Sequence, residues 1–357
     1  MVVRRLIFLV ALALSACQPQ AAAKVTPSPS PTVAPGDLIY VQDPGGPRML
    51  ELDWSGKLQG SVPSQGFSTP SPDGSRFFRA TDRITVEDWR GHTLGALDAD
   101  SSSYGLGNWA DDGKHFCGIV FPPGSGPDAG YASLWIGAPG ETGRVIAHVG
   151  KPGSNPGVAA CSIKNNRAIV AGGLFPHLPS GNRGLITAEI QVVNLSTGAI
   201  EFERDYPVGN LGAQGTIAAQ ADWVLVAASP DARYVAENGL VSGTSAIREL
   251  PTGKQAATLH GFVVGFNSDG SRVGLNVGKG ESAEVQVAAR SDQKVLWHGP
   301  GVAQSMLARP NSNDIMIGVH STFGDDTDVI AVDTDGTSHV VSRNLSVNWP
   351  CPCPIGI

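Results

Sequence analysis

Nucleophiles, acids and thiols at fixed spacing are where chemistry would show first, and this chain offers few of them. There is neither a GxSxG nucleophile elbow nor an HExxH zinc motif. Ser291-Asp292-Gln293-Lys294 has SxxK spacing, but its surroundings read as a hairpin turn rather than the start of a helix. Asp333-Thr334-Asp335-Gly336 has the opening of a calcium loop without its third acidic position or distant Glu, and reads as another hairpin. Asp325, Asp326 and Asp328 would hold calcium only if backbone carbonyls converged on them; solvated acids are the expectation, and no cofactor is expected. The histidines do not cluster in sequence. That leaves the thiols. Cys17 belongs to an amino-terminal segment, and the other four, Cys117, Cys161, Cys351 and Cys353, admit three pairings. Cys351-Pro352-Cys353 could close on itself, bind a soft metal or stay free. Two thiols without a nearby histidine are too few for a closed zinc site, so a locked terminus is expected over a metal.

The elements that must position such residues are constrained by composition. Glycine (45) and proline (26) together make about a fifth of the 357 residues, a turn-rich proportion. With 41% hydrophobic and 16% charged residues, the chain has the material for a packed core and is not a disordered polymer. Without Arg4 and Arg5, which an export segment would remove, 23 basic residues face 32 acidic ones, a net charge of −9. So acidic a body has no footprint for nucleic acid or an anionic lipid surface.

Arg4 and Arg5 precede the apolar run Leu6 to Leu14, which is too short to span a bilayer. The run ends in Leu14-Ser15-Ala16-Cys17, which resembles the lipobox of bacterial lipoproteins at all four positions. That resemblance implies cleavage after residue 16, a thioether-linked diacylglycerol on Cys17 and an acylated new amino terminus. Several acyl chains make a strong tether, because each buried CH₂ contributes about 0.8 kcal/mol. Residues 17–36 are rich in Ala, Pro, Ser and Thr and can bury no face; they read as an extended spacer. The folded body is expected at 37–357, exported and anchored to the bacterial cell membrane through lipid alone.

Two phrases recur along that body. One is a hairpin: Asp53-Trp54-Ser55-Gly56, Asp88-Trp89-Arg90-Gly91, Ala138 to Glu141, Leu195 to Gly198, Leu250 to Gly253, Arg290 to Gln293 and Asp333 to Gly336. Most place glycine where a tight turn needs positive φ. The other is a turn followed by a β-prone run: SPDGSRFF at 71–78, ADDGKHFC at 110–117, SIKNNRAI at 162–169, SPDARYVA at 229–236, NSDGSRVG at 267–274 and RPNSNDIMI at 309–317. A seventh copy begins at Val347-Asn348-Trp349-Pro350 and breaks off, and its continuation is available at Leu38 to Val41 and Met49 to Asp53. Seven hairpins and six and a half turns predict an all-β, seven-bladed propeller of four-stranded antiparallel blades, closed by pairing of the chain's two ends. Closure leaves no long exposed sheet edge. A β-sandwich or two small β domains is the competing architecture. In the propeller, Cys117 on the second strand of blade 2 and Cys161 on the inner strand of blade 3 are neighbours, so a bridge is expected, with two buried free thiols as the alternative.

The SPDG phrase followed by a β-run resembles the WD40-like repeat propellers of the TolB type, from about residue 38 to the end. The resemblance implies protein partners. That family's soluble member also carries an amino-terminal α/β domain, for which the stretch between Cys17 and Leu38 is too short. Both repeated phrases fall on one rim, whereas long connections at 98–107, 121–131, 150–157, 173–184 and 206–215, with a smaller one at 321–328, fall on the other. Rigid scaffolds carry function on such loops. Tyr104, Phe121, Tyr131, Phe175, His177 and Arg183 are the candidate contact residues there. The reading is a non-catalytic monomeric binder of an envelope protein, peptide or glycan. An extracytoplasmic propeller hydrolase, lactonase-like or glycan-cleaving, with a channel-bound metal is the alternative.

Overall fold

The computed structural model describes residues 38–42, 48–63, 67–72, 76–80, 84–88, 92–97, 107–121, 131–151, 154, 156–174, 185–211, 217–218, 224–239, 242–278, 280–309, 312–320 and 326–346. Cys17, the tether, Tyr104, Phe175, His177, Arg183, Asp325, Cys351, Cys353 and the expected pairing of the chain ends lie outside them. Among the described residues, apart from one 3₁₀ turn at Gly280–Ser282, every element is a strand, and every sheet pairing between strands is antiparallel.

Six sheets follow one another, each running from an inner to an outer strand in chain order. Blade 1 comprises Phe67–Pro70, Arg76–Ala80, Ile84–Asp88 and Thr93–Leu97; blade 2, Asn108–Trp109, Phe116–Val120, Ala132–Gly137 and Arg144–Val149. Blade 3 comprises Gly157–Ser162, Arg167–Leu174, Leu185–Asn194 and Ile200–Leu211; blade 4, Val224–Ala228, Tyr234–Gly239, Thr244–Glu249 and Lys254–His260. Blade 5 comprises Phe262–Phe266, Arg272–Val277, Glu284–Ala289 and Val295–Pro300; blade 6, Val302–Ala308, Ile315–His320, Asp326–Val332 and Ser338–Ser346. The seventh sheet, from the amino-terminal side, has three described strands: Leu38–Gln42, Arg48–Asp53 and Leu58–Pro63. The fold is thus the expected seven-bladed propeller. Blade 3 departs from the four-strand plan: its outer strand runs on to Leu211, within a stretch read as a connection, and its overhanging edge pairs with Ile217–Ala218.

Local chemistry explains the turns. Asp53 Oδ1 accepts from the N–H groups of Ser55 and Lys57, and Asn194 Oδ1 from those of Ser196 and Thr197. In the other phrase, Ser229 Oγ accepts from Arg233 and Tyr234 N–H. Gly56 sits at φ +84°, and a Cβ there would stand 2.2 Å from the Val341 carbonyl oxygen of blade 6. Glycine at that tip serves both the turn and the close approach of the neighbouring blade.

Alternation along the strands sends residues to opposite neighbours. Ala168 and Val170 face blade 2, while Ile169 and Ala171 face blade 4. The result is one apolar cluster at each of seven seams. Two of them close the ring: Ile39, Val41, Leu52 and Trp54 pack on Met316, Val329 and Ala331 of blade 6, and Tyr40 meets Phe77 of blade 1 edge to face at 4.5 Å. In every blade the outer strand slips by a residue shortly after its hairpin. Such bulges disrupt the ladder at an edge that another chain could otherwise extend.

Candidate functional site

Strand boundaries separate the two rims. On one, the described turns between first and second strands and the described hairpins span at most six residues. On the other, the chain passes from Leu97 to Asn108, Val120 to Ala132, Leu174 to Leu185 and Leu211 to Val224 before the next main strand, and from His320 to Asp326 in blade 6. Within blade 3, the strands on either side of the passage from Leu174 to Leu185 are paired directly, Leu174 opposite Thr187.

Of the candidate contact residues, two are described. Phe121 is only 7% exposed and lies in the core between blades 2 and 3 with Ile119 and Val158; its ring is packing material. Tyr131, opening the next strand, is 55% exposed on the long-connection rim. Asp328 lies on a strand of blade 6, opposite Val319, and Asp326 begins that strand.

Close to Tyr131 along the ladder, Ala132 pairs with Val149, and the chain then crosses to blade 3 through Gly150 and Lys151. These two meet a polar group that composition and motif did not signal. Glu189 and Gln191 on the third strand of blade 3 project toward blade 2, opposite Asp205 and Glu203 on the outer strand. Gly150 N–H donates to Gln191 Oε1 at 2.9 Å, and Gln191 Nε2 donates to Glu189 Oε1 at 2.9 Å and Glu203 Oε1 at 3.2 Å. Lys151 Nζ donates to Asp205. Oxygens of Glu189, Glu203 and Asp205 lie within 4.8 Å of one another. Burial pushes the Glu189 carboxyl up to about 7; Lys151 opposes the rise, and the charges of Asp205 and Glu203 add to it. Lys151 is held above its ordinary value, chiefly by Asp205. Three carboxylates are the chemistry of a hard-cation site, but the ammonium already engages Asp205, and Gly150 and Lys151 tie the crossing chain to the polar face of blade 3. The signal was available: polar residues at Glu189, Gln191, Glu201, Glu203 and Asp205 recur with period two, on a face that otherwise reads as inward.

At the other end of this seam, Cys117 and Cys161 form the disulfide expected between neighbouring blades. Beside it, Asp111 accepts from Ser162 Oγ and from Ile163 N–H, and Asn108 Nδ2 donates to the Ala159 carbonyl.

No family model matches the sequence, and no curated protein matches it. Solved structures similar to the chain include the dihydro-heme d1 dehydrogenase NirN (17% identity, TM-score 0.47, 92% of this chain and 67% of that one). They include Hsv2 of Kluyveromyces lactis (11%, 0.48, 86% and 95%) and TolB of Acinetobacter baumannii (14%, 0.40, 87% and 79%). At these identities the likeness does not extend beyond general architecture. The blades themselves define the class: a seven-bladed β-propeller.

Proposed function

We propose that the protein is a lipid-anchored, extracytoplasmic, non-catalytic propeller that binds an envelope protein, peptide or glycan through the rim of long connections. The observation that carries this reading is the asymmetry of strand boundaries: the described first-to-second turns and hairpins are all short and lie on one rim, and the four longest passages lie on the other, over blades 1 to 3. Long connections cost a scaffold little and supply variable contact surface. Exposed Tyr131, an aromatic with a polar tip, suits such a surface. The lipobox-like Leu14 to Cys17 and the Pro-rich spacer support anchorage away from the cytoplasm.

Two measurements test the reading. A photo-crosslinking residue at position 131 is expected to capture a specific envelope component, and one at position 335 on the short-turn rim is not. Equal capture from both rims, or capture from the short-turn rim alone, contradicts it. Cys17→Ser is expected to leave the protein free of diacylglycerol by mass spectrometry and to release it from membranes; an unchanged mass and membrane fraction would refute the anchor.

A further inference from the structure

Several blades close their first turn on the carbonyl of the residue that leads into the second strand: His115 in blade 2, Tyr234 in blade 4 and Arg272 in blade 5, which accept from Ala110, Ser229 and Asn267 N–H. Arg167, opposite Ser162, holds the same place in blade 3. Side chains here stand on the short-turn rim, beside the hairpin of the following blade. Arg167 Nη1 lies 3.5 Å from the Leu250 carbonyl in the hairpin of blade 4. The Arg272 guanidinium donates to the carbonyls of Asp333, at 3.2 Å, and Thr334 in the hairpin of blade 6. Between blades 4 and 5 the roles are exchanged: the hairpin supplies Arg290, whose guanidinium lies 3.9 Å from the centroid of the Tyr234 ring. A guanidinium thus plugs the rim end of three consecutive seams.

At the seam between blades 2 and 3, the described residues place none there. His115 is shorter than arginine and is held within its own turn, where Nδ1 donates to Asp112 Oδ2 at 2.6 Å. Leu195, which matches Leu250 in the next hairpin, has its carbonyl engaged from another side by Arg144 Nη2 at 3.1 Å. Between them opens a cavity of about 270 Å³, walled by His115, Glu141 and Arg144 of blade 2 and by Asn166, Leu195 and Ser196 of blade 3. Its wall accepts hydrogen bonds more readily than it donates them. A neutral imidazole that donates through Nδ1 presents Nε2 as an acceptor. That nitrogen faces Glu141 Oε2 at 3.6 Å, so two acceptors stand side by side. Ser196 Oγ, whose proton goes to Asn166 Oδ1 at 2.7 Å, adds a hydroxyl oxygen. A planar fork of N–H donors with one positive charge matches such a set better than a compact ammonium does.

We propose that this cavity binds a guanidinium group brought by another molecule, with Glu141 and His115 Nε2 as its acceptors, at the place that Arg167, Arg290 and Arg272 fill in the later seams. The site lies on the rim opposite the long connections, and the inference does not rest on the reading of those connections as a partner surface. The test is isothermal titration of the purified full chain with arginine amide as the probe. Arginine amide is expected to bind at least ~10-fold more tightly than lysine amide, which has the same charge without the planar fork. Glu141→Gln, a change at an exposed side chain, is expected to weaken that binding about tenfold. His115→Arg gives the cavity a guanidinium of its own; it is expected to abolish binding and to raise the melting temperature by about 1–3 °C. A Gly-Arg-Gly peptide that binds more tightly than the amide assigns the group to a peptide side chain, and the reverse order assigns it to a free small molecule. Absent binding of arginine amide, equal binding of lysine amide, or unchanged binding in either variant overturns the proposal. So does a lowered melting temperature in the His115→Arg protein, because a guanidinium would then not fit the cavity.

Discussion

The seam between blades 2 and 3 buries a larger apolar cluster than the seam between blades 6 and 7, and the two are tied very differently. The first has a covalent bridge at one end, Asn108 and Asp111 beside it, and the Lys151–Asp205 and Gly150–Gln191 links at the other. The second is tied on the side of the short turns, where His339 Nε2 donates to the Trp54 carbonyl at 2.7 Å and the Arg309 guanidinium lies 5.1 Å from the Trp54 ring. Toward its inner strands it holds unpartnered polar atoms. Consecutive blades can be locked as the chain folds, whereas the last seam joins residues nearly 300 positions apart, as with His339 and Trp54. The closing seam is therefore the one whose formation costs the most loop-closure entropy.

Breaking the disulfide should have the largest effect on this contrast. Cys117→Ser with Cys161→Ser removes a cross-link spanning 44 residues, and a loss of about 2–4 kcal/mol is expected in denaturant unfolding. If the loss is below about 0.5 kcal/mol, the seam is held by its packing and polar ties alone. Reducing agent should reproduce the change in the wild type and have no effect on the double variant.

The acidic tie at the same seam predicts a pH dependence. Glu189 is raised in the folded state above the ordinary carboxylate value, so the fold binds its proton more tightly than the unfolded chain. Stability from this group is greatest below about pH 4.5 and is lost as pH rises through about 7, a decline of about 2 kcal/mol between pH 5 and pH 7. Glu189→Gln should flatten that slope. A slope that is unchanged, or a stability that rises through this range because of Glu189, would show that the carboxyl is ionised and paired.

The smallest effect is expected at the closing seam. His339→Ala removes an exposed side chain whose single tie is to the Trp54 carbonyl, and about 0.5–1 kcal/mol should be lost. A loss as large as that of the disulfide variant would invert the comparison and place the ring's main lock at blade 7.

Much of the architecture was legible because turns are local. Asp53 and Asn194 cap their own hairpins within four residues, and Ser229 caps the first turn of blade 4 within five, so type and spacing alone reveal them. The Cys117–Cys161 bridge became legible once the repeat made those strands neighbours. Phe121 shows the limit: it begins a long connection, yet its ring turns into the core, and nothing in the adjacent residues specifies that direction. The Glu189 group was half legible, since its period of two was visible but the approach of Lys151 from the preceding blade was not.

Turn chemistry and alternation, which depend on residues a few positions apart, are written in the order of the amino acids; they determined the number of blades, the short-turn rim and the strands. Which polar groups meet across a seam depends on the facing and slip of two separate sheets, and a shift of one residue sends every side chain to the other neighbour. The outer-strand bulges, the Lys151–Asp205 tie and the arginines that plug three consecutive seams were therefore decided only when the sheets came together in the ring.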